Sequence, residues 1–223
     1  MIDQTTARGR IVAAALGCAA GKEWPAVSLA DIAGAAGLPL VELSREFDTK
    51  AAILAALVRD IDQELLKRAP KRSEGQEVRD ALFDVVMTRF DVLAPYKNAL
   101  KSIHAAGQAD LSMAGPLLRS MHWMLEAAGI STDGHGGRVR VAGLAAVYAS
   151  VFRTWLDDDD PGLARTMAAL DRRLRGGERT LRNVEQFGSV VGRLVKDGPA
   201  FLRSVLRGRS AQEQRPGPDA GSV

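Results

Sequence analysis

Apolar positions return every three or four residues along most of the chain, the interval that gathers them on one face of an α-helix. The pattern is sharpest over residues 27–50, VSLADIAGAAGLPLVELSREFDTK. There Leu29, Ile32 and Ala33 make a short apolar face, Gly37 interrupts it, and Leu43 and Phe47 form an i, i+4 pair. Two short helices joined by a tight turn account for this spacing. Ser28 caps the first, Gly37 supplies the turn, and the second ends near Phe47. Small Ala33 lets the two helices cross closely, with Leu38 and Leu43 filling the space between them. A helix over about 8–20 precedes the pair, capped by Thr5 or Thr6, with Ile11, Val12, Ala15 and Ala19 inward. Gly21 ends it, and Trp24-Pro25 bends the chain, with Trp24 packed beneath the bend. Asp48 is expected to cap a fourth helix running to about Arg68, with Ile53, Leu54, Leu57, Ile61 and Leu65 on one face.

Residues 70–75 (PKRSEG) break the pattern and divide a head, 1–68, from a body, 69–176. The body reads as further helices. One spans about 77–94, with Val78, Leu82, Val85, Val86, Phe90 and Leu93 inward. Pro95 starts the next, which carries Tyr96, Leu100 and Ile103, and Pro116 opens another that Gly129 closes. Residues 131–137 (STDGHGG) read as a loop, followed by a long apolar helix over about 138–156. Asp160 and Pro161 then cap and start a helix to about Arg175. The acidic run 157–160 also suits the positive dipole end of that helix; four adjacent carboxylates cannot all face one metal ion.

The frame formed by SLADIAGAAGL, the closing Phe47 and DTKAAILAALV resembles the TetR family of transcriptional regulators. It covers roughly the first 65 residues closely. The resemblance implies an all-α fold: an N-terminal three-helix helix-turn-helix domain, then a helical ligand-binding and dimerisation domain. It also implies a homodimer that binds operator DNA, regulated by a small apolar effector and acting chiefly as a repressor. On this reading Ser28, Pro39, Leu40, Glu42, Ser44, Arg45 and Lys50 meet DNA. Lys50 matches the family's phosphate contact. The rest departs from the family's usual pattern, which carries a small polar residue and often a lysine in the turn, then a tyrosine and another aromatic or histidine. Here the turn is Pro39-Leu40, and the face is Glu42, Ser44, Arg45 and Glu46.

The resemblance further implies an effector pocket in the body, with Phe83, Met87, Phe90, Tyr96, Met121, Trp123 and Met124 as adaptable walls and His104 as a polar handle. For any single one of these residues, a place in a plain hydrophobic core is the commoner role. The last two body helices fall where such proteins form a four-helix dimer interface, placing Ala142, Ala146, Ala149, Trp155, Leu163, Met167 and Leu170 toward a partner. Small residues permit close helix approach, and a helix apolar around much of its circumference needs cover on more than one side. Burial within the chain is the alternative. The segment WLDDDDPGLARTMAALDRRL is also similar to the end of a ubiquinone-biosynthesis lipid-binding family that shares this fold. That likeness keeps a second reading open, a protein that has lost DNA binding and carries a lipid or quinone-like molecule at a membrane.

Charge bears on the choice. The sequence pI is about 9.2, but residues 1–68 hold 8 basic and 9 acidic side chains, and residues 177–223 hold 8 and 5. From Ser28 to Lys50 the acids Asp31, Glu42, Glu46 and Asp48 face only Arg45 and Lys50. Non-specific DNA affinity comes from cation–phosphate contacts, so this head starts with few, and Arg8, Arg10 and Lys22 are the nearest helpers. Glu42 can instead accept from a cytosine amino group.

Over 177–207 the basic and apolar residues fall on opposite sides of a helix. This pattern fits an anionic membrane surface, folding back onto the body, or pairing in the dimer. Residues 208–223 are polar, rich in Pro and Gly, and read as disordered. One cysteine, Cys18, precludes an internal disulfide and points to a reducing cytoplasm. The histidines are scattered and no Cys/His spacing suits a metal, so neither catalysis nor a cofactor is expected.

Overall fold

Three of the four helices of the head, α3 being the exception, begin at a side chain that satisfies a free amide. Thr6 accepts from the Gly9 N–H at 3.0 Å and starts α1 (Ala7–Gly21). Ser28 and Asp31 form a reciprocal capping box at α2 (Leu29–Ala35): the Asp31 N–H donates to Ser28 Oγ at 3.0 Å, and the Ser28 N–H donates to Asp31 Oδ2 at 2.8 Å. Gly37 then adopts φ +65°, a left-handed turn that a side chain disfavours. Beyond it the Leu38 N–H reaches back to Ala33 O at 3.0 Å. Pro39 precedes α3 (Leu40–Glu46). The cap of α4 (Lys50–Arg68) is Thr49 rather than the expected Asp48. Thr49 has the extended backbone that turns its hydroxyl toward the Ala52 N–H, at 3.1 Å. Ile11, Val12, Ile32, Ala33, Leu43, Phe47 and Ile53 bury together and hold α1–α4 as one packed head.

The computed structural model describes residues 2–107 and 113–181. The amphipathic pattern beyond Leu181, its membrane contact and the polar tail lie outside the described residues. After the head come α5 (Val78–Leu93), a 3₁₀ turn (Ala94–Tyr96), α6 (Lys97–Ala105), α7 (Ala114–Ala127), α8 (Gly134–Leu156) and α9 (Ala164–Leu181). No strand occurs among the described residues, and no helix among them is long and apolar enough to cross a membrane.

Two starts differ most from the sequence expectation. The stretch read as a loop supplies the first turn of α8, because Gly137 lies so close to Thr132 that a Cβ there would meet Thr132 O at 1.7 Å. The last helix begins at Ala164 rather than Pro161. The acidic run does cap it: Asp160 accepts from the Ala164 N–H at 3.1 Å, and Asp158 accepts from the N–H and hydroxyl of Thr166 at 2.8 and 2.7 Å.

Residues Met1–Gly177 form one compact unit. Head and body are pinned within it, since the Ser102 hydroxyl on α6 accepts from the Trp24 N–H at 3.1 Å and donates to Lys22 O at 3.1 Å. The body core is a stack of rings. Phe90 lies parallel to Tyr148 and Trp155, with centroids 5.5 and 5.3 Å away, and Phe152 extends the stack. Beside it, α4, α5, α7 and α8 meet at a buried polar knot. Arg89 Nη1 donates to Asp62, Arg89 Nε donates to Tyr148 OH at 3.1 Å, and Ser120 donates to Asp62 at 2.5 Å. Burial pushes the Tyr148 hydroxyl above its usual pKa, which keeps it neutral beside the ion pair.

Candidate nucleic-acid interface

The geometry of α3 follows from which of its residues the head core takes. Leu43 is completely buried and Phe47, just beyond the helix, packs beside it. The opposite face therefore turns outward, with Val41 and Arg45 at its centre one turn apart. Val41 is 58% exposed and Leu40 51%, and Glu42, Ser44, Arg45 and Glu46 are exposed with them. Ser44 turns its hydroxyl back to Val41 O at 2.9 Å. Glu42, Arg45 and Glu46 make no side-chain hydrogen bond or ion pair among the described residues. Arg45 is thus not spent on its acidic neighbours.

The other expected DNA contacts are partly committed elsewhere. Ser28 Oγ accepts the Asp31 amide within the capping box. Lys22 bonds Asp31 Oδ2 at 2.8 Å; that ammonium, then Ser28, holds the Asp31 carboxyl far below the usual carboxylate range. Arg8 lies over the Phe47 ring, 5.2 Å from its centroid. Lys50 Nζ donates to Trp24 O and Val27 O, each at 2.8 Å, and sits 4.7 Å from the Trp24 ring centroid. Lys50 therefore closes the bend that enters α2. Burial lowers its pKa, with Lys22 adding repulsion, which offsets part of the gain from the two carbonyls. Lys50→Met is expected to lower unfolding free energy by about 1–2 kcal/mol, measured by urea denaturation. A change within about 0.5 kcal/mol would assign Lys50 no structural part.

No protein-family model and no curated protein matches the sequence. Solved structures do match the fold. A TetR transcriptional regulator from Nitrosomonas europaea aligns over 75% of this chain and 95% of its own, with TM-score 0.59 and 24% identity. One from Rhodococcus sp. RHA1 covers 78% and 96%, with TM-score 0.58 and 22% identity. A tetR-family regulator from Streptomyces coelicolor covers 92% and 97%, with TM-score 0.56 and 17% identity. The fold is that of the TetR family.

Set on a TetR-like fold, the residues expected to face a partner divide. Ala146, Ala149 and Met167 are exposed, and Ala142 and Leu163 are half-buried. Trp155 and Leu170 are not available to a partner, because the ring stack and the α9 packing bury them inside the chain. Leu163 is held at φ 51°, unusual for a leucine, at the entry to α9.

The eight residues expected to wall a pocket do not line one space. Phe90, Met121 and Met124 are core residues with essentially no exposure; their periodic spacing served packing. Phe83, Met87 and Tyr96 are half-buried, while His104 and Trp123 are exposed. His104 meets the edge of Phe152. A groove of about 600 Å³ runs between α5 and α9, lined by Phe83, Met167 and Leu174 with Arg79, Asp84 and Asp171. Only Phe83 of the eight belongs to it. The lipid-carrier alternative draws no support from the structural likenesses.

Proposed function

We propose that this chain is a transcriptional regulator whose residues 1–68 read operator DNA, as a homodimer built through the α8 and α9 faces of the body. One observation carries the reading: on a TetR-like fold, the outward face of α3 offers Val41, Glu42 and Arg45 to an outside partner with none of them engaged internally. A helix placed so reads base edges in the major groove while neighbouring groups hold phosphates. Ala146, Ala149 and Met167 lie exposed where a second copy is needed. Pairing would present two heads at a separation of one helical turn of DNA or a multiple of it.

A small apolar effector belongs to the same proposal. The α5–α9 groove falls within the size range of small-molecule sites, and Phe83, Met167 and Leu174 give it apolar walls. An effector seated there would act on α5, which packs on α4 and so on the head. Repression follows where the operator overlaps a promoter.

Footprinting on the DNA upstream of the protein's own coding sequence, at low salt, tests the operator reading. Protection of two half-sites about 10 base pairs apart, or a multiple, is the expected result. Unbroken cleavage at micromolar protein would remove it.

A further inference from the structure

The face of α3 is unusual in chemistry as well as in freedom. Leu40 and Val41 are among the most exposed large apolar side chains of the described residues, and they adjoin an unpaired carboxylate, Glu42. A solvated helix face has no use for two such groups in a row, and exposed apolar patches mark contact sites. In the major groove the apolar group that projects from a base edge is the C5-methyl of thymine. Only two groups there offer amino protons to a carboxylate, cytosine N4 and adenine N6. Adenine N6 lies beside the N7 lone pair of the same base, which repels a carboxylate. Cytosine N4 lies beside a C–H edge, which does not. Resting on the operator reading above, we propose that Leu40 and Val41 contact thymine methyl groups while Glu42 accepts from an adjacent cytosine, so that each half-site carries a thymine–cytosine step on one strand.

The charge of the head fits this assignment. With Lys22 and Lys50 bonded internally and Arg8 lying over Phe47, few cations remain to hold phosphates. Discrimination then depends on base edges, and a carboxylate near the backbone rejects sites that lack a donor for it. Arg45, one turn from Val41, is left to hold a phosphate or a guanine beside the same step.

Selection of bound duplexes from a random library with the full-length protein, at low salt, supplies the sites. Each thymine of a recovered half-site is then replaced by deoxyuridine, which removes the methyl and nothing else. One or two of these replacements are expected to weaken binding about fourfold, the worth of burying one methyl group. The Leu40→Ala/Val41→Ala variant should lose that sensitivity, and Glu42→Gln should cut discrimination at the cytosine about tenfold. Circular dichroism of the variants checks that the head still folds. Tight duplexes whose affinity ignores deoxyuridine, or a Glu42→Gln variant with unchanged base preference, overturn this inference and leave the operator reading standing. A selection that returns no bound duplex overturns both.

Discussion

Asp62→Ala is expected to lower unfolding free energy by about 3–5 kcal/mol, a large share of the roughly 5–15 kcal/mol that holds a typical domain together. The reason is what it leaves behind. Arg89 is buried, and its guanidinium has Asp62 as its counter-charge and Tyr148 OH as a second acceptor. Removing the carboxylate strands that cation in the interior and also frees the buried Ser120 hydroxyl. The double variant Asp62→Leu/Arg89→Met removes both charges and is expected to recover most of the loss, since an apolar pair of similar size is often neutral or better. Urea denaturation of the three proteins measures this. A single-variant cost below about 1 kcal/mol, or a double variant no better than the single, would show that the pair is not coupled as its geometry implies. The knot also joins the helix leaving the head, α4, to α5, α7 and α8. It fixes α4 by a directional contact, where apolar packing alone would tolerate sliding.

The second large effect is expected on the proposed dimer. Ala146 is exposed on α8, so Ala146→Arg adds a long charged side chain without crowding the chain's own core. Two such arginines opposed across close-packed helices would separate the copies. Light scattering should then report a monomer with an unchanged circular dichroism spectrum. Operator affinity should fall about 100-fold or more, the scale of advantage lost when two linked binding events become one. A variant that stays dimeric would move the interface off this face. A monomer that keeps full operator affinity would remove the need for pairing.

Much of the fold was legible because short-range chemistry decides it. Leu43 and Phe47 could face only one way once Gly37 turned the chain, and their burial fixed which residues of α3 look outward. The outward position of Val41 could have been read from the same helical wheel, since it lies nearly opposite Leu43. Capping chemistry was legible in part: Ser28 serves as expected, Thr49 took the part assigned to Asp48, and Asp160 accepts an amide of a helix that starts three residues later than expected. The start of α8 was hidden, because a glycine-rich string reads as loop unless the close approach of Gly137 to Thr132 is known.

Long-range pairing left no local trace. Asp62 and Arg89 lie 27 positions apart, and each alone looks like a solvated charge on a helix. The tie of Lys50 to Trp24 O and Val27 O was equally invisible, as it depends on how the bend after α1 folds back over α4. The body's methionines and aromatics were ambiguous for a physical reason. The same spacing serves a pocket wall or a packed core, and only burial separates Phe90 and Met124 from Phe83.

The central claim is that two copies of this chain deliver two heads to one duplex. Sedimentation velocity of the full-length protein with a labelled duplex recovered by selection measures it directly. Two chains per duplex, with the free protein already dimeric at micromolar concentration, is the predicted result. Free protein that sediments as a monomer and leaves the duplex unbound at low salt would contradict the account.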